Sequence, residues 1–336
     1  MKLKLTGSEL DALKCVWTGE AESRIDIARI LKMSRPTASV LVKSLIDNHF
    51  LTEDGCRRSF GGKPAIKLKI RPDSFHSIGI DIGYENLVRA ISLDAAGNII
   101  KQIELAADSG YNDRLNAVRE AVKALRTDKT CGVGIAVSGM VNPQGSKIIH
   151  SANFELTDKP IARITQDSTG LPVYIDNRAR MAARAELFYG SAQGITDFLL
   201  VSLGKGIGSA ITISGKIYSG VSGKAGEVRN FNVPDYSGKS MTTWEKALQE
   251  DTLEQQDYPC RKMAEICASG FNQVLSLIDL DVVVLSGRFC LFPDTFREEL
   301  HNLMPDIRFK LSHFGRDSGA CGSAIAATEH AVFNKP

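Results

Sequence analysis

The sequence contains no C-x-x-C pair, no clustered His/Cys spacing and no apolar run approaching a membrane span. Each absence removes a class of function. The seven cysteines (Cys15, Cys56, Cys131, Cys260, Cys267, Cys290 and Cys321) are odd in number and scattered. That usage fits buried thiols in a reduced compartment, not a disulfide framework or a zinc site. The six histidines are equally dispersed, so local spacing offers no metal constellation. Met1-Lys-Leu-Lys-Leu5 is basic, but Thr6-Gly-Ser-Glu9 follows and no apolar h-region develops. A span needs roughly 18 consecutive apolar residues. The expectation is a cytoplasmic protein with no membrane partner.

What is present is an ordinary globular composition with a hidden asymmetry. The 336 residues allow about two or three domains, each able to bury a core. The net charge is +2. Residues 1–71 hold 14 Lys and Arg against 8 Asp and Glu, a balance of +6, which leaves 27 against 31, or −4, for the rest. A basic N-terminal module on a mildly acidic body is the charge pattern of an attached nucleic-acid-binding domain, or else a solvated charged face.

The local pattern in residues 1–71 favours the first of these. Helices are predicted over Glu9–Trp17, Arg24–Leu31 and Arg35–Asn48. Ser34 can cap the third helix, and Pro36 is tolerated in its first turn. Its apolar stripe is Ala38, Leu41, Val42 and Leu45; Thr37, Ser39, Val40 and Lys43 lie opposite. Two short helices, a turn and a third helix make a helix-turn-helix. Phe50-Leu-Thr52 and Ala65–Ile70, with turn signals at Asp54-Gly55 and Gly61-Gly62, add a β-hairpin wing carrying Arg57, Arg58 and Lys63. Arg35, Thr37, Ser39 and Lys43, with those wing cations, are the candidate contacts to double-stranded operator DNA. Pro72 breaks the strand pattern, placing a domain boundary between 1–71 and 72–336.

The body reads as α/β. Ser77–Gly83, Leu87–Leu93, Ile99–Leu105 and Cys131–Val137 are buried strands, with a helix over Tyr111–Leu125. A second set follows: Phe198–Leu203, the loop Gly204-Lys-Gly-Ile-Gly208, Ser209–Ser214, helices over Thr243–Leu253 and Arg261–Leu277, and Val282–Leu285 before Ser286-Gly287. This duplicated core predicts a two-lobed body with a cleft between the lobes. Glycine loops after strands can cradle phosphates, although any one of them is weak evidence, since tight turns need glycine for steric reasons alone.

Val173–Glu186 decides what the cleft can do. Val173–Ile175 is a short strand and a helix begins near Ala179, so Asp176, Asn177 and Arg178 would line the cleft. A kinase acting on a hydroxyl needs a carboxylate there to accept the proton. An arginine stays protonated and cannot serve.

The winged helix-turn-helix, Gly79-Ile-Asp-Ile-Gly83, Gly134-Ile-Ala-Val-Ser-Gly139, Asn153 and Gly204-Lys-Gly-Ile-Gly208 together resemble the ROK family of repressors, open reading frames and sugar kinases. The likeness covers essentially the whole chain. It implies an actin-like ATPase/sugar-kinase fold in the body; the family's regulators include sugar-responsive repressors such as those for xylose and N-acetylglucosamine. The family's phosphate motif Asp-x-Gly-Gly-Thr-Lys is here Asp81-Ile-Gly-Tyr-Glu-Asn86, with Tyr84 and Glu85 in place of small residues. Gly-Thr-Gly-Ile-Gly keeps all but Thr, replaced by Lys205, and the adenosine-side Gly-Gly is Ser286-Gly287. Asp81, Gly83, Gly204, Lys205, Gly206 and Gly287 are thus a vestigial nucleotide site.

Counting back from Glu186, the position of the family's catalytic aspartate is Arg178; a two-residue shift would substitute Asp176 but break the Asn177 and Glu186 matches. The family's zinc segment Gly-Glu-x-Gly-His is Gly226-Glu-Val-Arg-Asn230, and Phe231–Thr243 contains no cysteine or histidine. Hydroxyl-binding positions persist: Ser138, Gly139, Asn153, Asn177, Glu227 and Glu245, with Asn230 for histidine. The resemblance therefore implies a non-enzymatic, dimeric or higher-order repressor that binds a sugar without metal or cofactor; the alternative is an active ATP-dependent sugar kinase with a DNA-binding domain. Arg178, with Arg229, either recognises an anionic sugar derivative or forms an internal salt bridge to Glu227 or Asp176.

Overall fold

The computed structural model describes residues 5–56, 65–151, 154–249 and 260–334. Three helices open the chain: α1 (Gly7–Trp17), α2 (Arg24–Ile30) and α3 (Arg35–Asp47). Each begins on a hydroxyl cap. Thr6 and Glu9 form a reciprocal capping box, Ser23 accepts from the Asp26 amide, and Ser34 accepts from the Thr37 amide at 3.2 Å. The Ser44 hydroxyl donates to Glu9 at 2.5 Å, tying α3 to α1. Strands β1 (Leu51–Cys56) and β2 (Ile66–Ile70) pair antiparallel, Leu51 opposite Ile70. Residues 57–64, with Arg57, Arg58 and Lys63, lie outside the described residues.

The body contains two five-stranded mixed sheets of the same plan. The first is built from β3 (His76–Asp81), β4 (Leu87–Asp94), β5 (Ile99–Ala106), β6 (Thr130–Val137) and β9 (Val173–Asn177), in the order β5-β4-β3-β6-β9. Its first three strands are antiparallel neighbours, and β6 and β9 join in parallel. Short strands β7 (Met140–Val141) and β8 (Ile148–His150) form a separate pair beside it. Two helices, α4 (Tyr111–Leu125) and α5 (Ile161–Thr169), supply the crossovers, and α6 (Arg178–Tyr189) leaves the last strand.

In the second sheet, β10 (Phe198–Leu203), β11 (Ile207–Ile213), β12 (Lys216–Tyr218), β15 (Val282–Gly287) and β16 (Arg308–Leu311) run β12-β11-β10-β15-β16. The matching orders bear out the duplicated α/β core. The remaining elements of this half are β13 (Asn232–Pro234), β14 (Met241–Thr243), α7 (Trp244–Ala247), α8 (Cys260–Leu275), α9 (Asp294–Leu303) and, after β16, α10 (Ser318–Thr328). Of the helix expected over Thr243–Leu253, the described residues show one turn, α7, which starts on the Thr243 cap and ends at Ala247; residues 250–253 lie outside the described residues.

Small residues bring the layers together. The helix α10, Ser-Gly-Ala-Cys-Gly-Ser-Ala-Ile-Ala-Ala-Thr, is buried along its whole length. A Cβ at Gly79 of β3 would stand 1.8 Å from the Ala320 carbonyl oxygen, and one at Gly322 would stand 1.6 Å from that of Met181. Glycine is required by this close approach. The first helices are not detached from the body: the Trp17 ring packs 4.8 Å from Phe188 and 5.0 Å from Phe333, centroid to centroid, within one continuous apolar cluster.

Candidate functional site

The C-terminal ends of β3, β6, β9 and β10 converge on a cleft of about 150 Å³ between the two sheets. Ligand sites in open α/β sheets form at such strand ends. The first sheet contributes Gly83, Ser138, Gly139, Asn177 and Arg178; the second contributes Gly204, Lys205, Gly206, Glu227 and Glu245. These ten sequence candidates are brought together. Asn230 is exposed and outside the cleft lining, because the chain turns outward into β13. Gly287 is likewise outside the lining, paired with Leu203, where a positive φ of 67° and the Leu203 carbonyl require glycine. Asn153 falls outside the described residues.

Arg178 is committed to a partner that neither sequence alternative named. Its Nε donates to Asp81 Oδ2 at 2.7 Å, and Asp81 is fully buried. The partner is neither Glu227 nor Asp176. Helix α6 starts at the cleft and sends its first side chain across the end of β6 to the end of β3. The other Asp81 oxygen accepts the Gly83 amide at 2.8 Å. The Arg178 guanidinium also lies 4.0 Å from the centroid of the Tyr84 ring. Burial opposes its charge, but Asp81 and Tyr84 outweigh burial and raise its pKa above the ordinary arginine value. The Tyr84 hydroxyl, raised by burial, donates to the Arg316 carbonyl at 2.6 Å. The two departures from the family phosphate and base motifs thus form one packed unit with the retained aspartate.

Asp176 does not line the cleft, contrary to the sequence expectation. It is buried and receives Arg180 Nε at 2.7 Å, while the remaining Arg180 donors reach the carbonyls of Gly223 at 3.0 Å and Val141 at 3.1 Å. A carboxylate held by an i,i+4 arginine inside the protein faces away from any substrate hydroxyl. Asn177 caps α6, accepting the Ala179 amide at 2.8 Å and donating to the Gly139 carbonyl at 2.8 Å.

Across the cleft, Glu245 accepts the Ile207 amide at 3.3 Å, and a Cβ at Gly206 would stand 2.4 Å from it. Glu227 lies 4.0 Å from Arg229, another cleft residue. At the mouth, Lys205 Nζ meets Glu85 at 2.6 Å, joining the loops that follow β3 and β10. The stretch in the position of the family's zinc loop is the β13–β14 hairpin. Asp235 organises its turn by accepting the Ser237 hydroxyl at 2.7 Å and the Lys239 amide at 3.2 Å.

Sequence reasoning missed His150 and Met140, which pair across β7 and β8, and Ser209. Strands of two or three residues carry no readable period. It also missed Arg114, a fully buried side chain of α4. Its guanidinium donates to the carbonyls of Ile82 (3.2 Å), Leu87 (2.9 Å), Asp108 (2.6 Å) and Glu85, holding the loop that carries Tyr84. An isolated arginine on an amphipathic helix gives no signal of that role.

Residues 77–235 match the ROK family. The chain carries a ROK-family domain. Its relatives include the xylose repressor of Caldicellulosiruptor bescii, 30% identical over 229 residues, 66% of this chain and 57% of that protein. The chain thus spans less than two thirds of that repressor's length. A ROK family transcriptional regulator described as a homologue of the E. coli MLC protein superposes with a TM-score of 0.71 at 17% identity, covering 94% of each chain. A ROK family glucokinase from Streptomyces griseus, solved with glucose and AMPPNP, gives 0.65 at 22% identity over 76% of this chain and 99% of that one. At these identities both structures establish the ROK fold alone. Among the described residues no helix is long and apolar enough to cross a membrane.

Proposed function

We propose that the protein is a sugar-responsive transcriptional repressor whose ROK cleft binds a sugar without phosphorylating it. The observation that carries this reading is the Arg178–Asp81–Tyr84 unit. It puts a permanent cation at the position of the proton acceptor and an aromatic ring where small residues would meet phosphate. Asp176, the other candidate base, is tied to Arg180. With neither position offering a free carboxylate, the proton acceptor that the family's transfer step uses is missing. The cleft keeps carbonyl, amide and carboxylate groups for hydroxyls, Glu245 and Glu227 among them. The similarity to a xylose repressor supports a sugar ligand and a repressor role.

Residues 1–71 act in this reading as a winged helix-turn-helix on operator DNA, through Arg35, Thr37, Ser39, Lys43 and the wing cations Arg57, Arg58 and Lys63. Helix α6 joins the two functions. It begins with Asn177 and Arg178 in the cleft and ends with Phe188 against Trp17 of α1. A sugar that prefers one arrangement of the sheets shifts α6 and with it the spacing of two DNA-binding modules in a homodimer. Half-sites then lie about one helical turn, or a multiple of it, apart.

The test pairs two assays on the purified chain. Incubation with ATP, magnesium and a hexose and pentose panel yields no ADP above background, whereas turnover above about 0.1 per second, close to the range of working enzymes, establishes the kinase reading instead. In parallel, a sugar that raises the melting temperature also changes affinity for a duplex selected on the protein from a random-sequence library; a flat response across the panel removes the sensor.

A further inference from the structure

The outer face of α3 carries a side chain that folding does not explain. Val40 is 69% exposed. It lies roughly 140–160° around the helix from Ala38, Val42 and Leu45, the residues α3 buries, at about 100° per residue. It therefore points almost straight out of its own module. Packing does not account for it, and neither does propensity, since a β-branched valine gains nothing in a helix over the serine and threonine beside it. Around it are Pro36 and Thr37 one turn before, Lys43 one turn after, and Arg35 at the helix start, all exposed. Asp47 lies two turns on, at the far end of the helix, and Ser44 is turned inward onto Glu9.

A polyanion suits this face by charge: Arg35 and Lys43 flank the valine, and residues 1–71 carry the +6 balance. Along the major-groove edge of duplex DNA the alkyl group on offer is the C5 methyl of thymine; the other groups that distinguish the base pairs there donate or accept hydrogen bonds. Resting on the DNA-binding reading above, we propose that Val40 is a specificity-determining residue that reads a thymine methyl in each half-site. Lys43 and Arg35 hold the helix to phosphate; Val40 supplies sequence preference by excluding water from the methyl. Cytosine at that position presents no methyl and puts an amino donor against an apolar side chain, so it is rejected.

The experiment selects a duplex from a random-sequence library on the full-length protein. That duplex is then remade with deoxyuridine replacing each thymine in turn, which removes the C5 methyl and nothing else. Affinities are measured for the wild type, Val40→Ala, Val40→Ser and Lys43→Ala. Burial of one methyl corresponds to about a fourfold change in affinity. At one thymine per half-site, uracil weakens the wild type by about that factor and leaves Val40→Ala and Val40→Ser nearly unchanged. Lys43→Ala binds all duplexes more weakly but keeps the uracil penalty.

A wild type indifferent to uracil at every position overturns the inference while leaving DNA binding intact, as does an equal penalty in Val40→Ala. A second copy of the chain covering Val40 would appear as a Val40-dependent change in sedimentation with no uracil effect, and also overturns it. A library that yields no enriched sequence defeats the DNA-binding reading itself. The substitutions are at an exposed position, so folding is checked simply by an unchanged melting temperature.

Discussion

Replacing Arg178 by alanine leaves Asp81 fully buried with the Gly83 amide as its remaining partner in the Arg178 cluster. Removing one member of a buried ion pair typically destabilises by about 3–5 kcal/mol, because the stranded charge keeps its full desolvation penalty. The Arg178 side chain is 27% exposed at the cleft surface, so water entering the vacated space offsets part of this. The lower end applies, about 3 kcal/mol, or a fall of roughly 6 °C in melting temperature for a body of this size. Asp81→Asn is milder, about 1–2 kcal/mol, since the guanidinium it releases can turn into the open cleft. In the double variant a neutral amide replaces the stranded carboxylate. The cycle therefore closes with a coupling of about 1.5 kcal/mol or more. Urea unfolding of all four proteins, with the transition followed by both fluorescence and circular dichroism to check two-state behaviour, measures it. Additive single effects, or Arg178→Ala within 1 kcal/mol of wild type by the expectation for surface sites, refute the committed ion pair and reopen Arg178 as a free cation.

Three further outcomes follow from the same geometry. With Arg178 held by Asp81, a hexose 6-phosphate binds no better than the neutral hexose in either the wild type or Arg178→Ala; a preference in the wild type that disappears in the variant restores the anionic-ligand reading, and calorimetry decides. Trp17→Ala removes the ring between Phe188 and Phe333, destabilises by about 3–5 kcal/mol, and leaves sugar binding by the body near wild type while sugar no longer alters DNA affinity; sugar control that survives the change excludes α6 as the connection. The His330 ring lies 5.5 Å from that of Tyr174, tilted by 39°, and partial desolvation on that side lowers its pKa from the ordinary histidine value. Its neutral form is favoured in the folded state, so the stability it contributes is complete above the unfolded value of about 6.5 and is lost as pH falls below it, when the unfolded chain takes up the proton first. Unfolding curves between pH 7.5 and 5 show a smaller decline for His330→Phe than for wild type; parallel declines contradict the assignment.

The sequence by itself determined the parts that local rules govern. Apolar stripes place the first three helices, and Ser34 caps α3 as its spacing implies. Continuous apolar runs ending in glycine place β3, β6, β10 and β15, and their repetition gives the duplicated sheets. The count from Glu186 puts Arg178, a side chain unable to take up a proton, at the cleft, because strand ends and helix starts are written in adjacent residues.

Tertiary structure decided the partners. Asp81 and Arg178 stand 97 positions apart, and nothing in their neighbourhoods distinguishes that pairing from one with Asp176 or Glu227. It follows from the order of β3, β6 and β9, which sets the two chain segments side by side. Asp176 is carried away from the cleft by Arg180, one helical turn further on, and the ring of Tyr84 is held over the cation by a loop that Arg114 grips from another helix. The junction of Trp17 with Phe188 and Phe333 belongs to the same class. Periodicity reports which side of an element is buried; which distant residue meets it depends on how the layers stack.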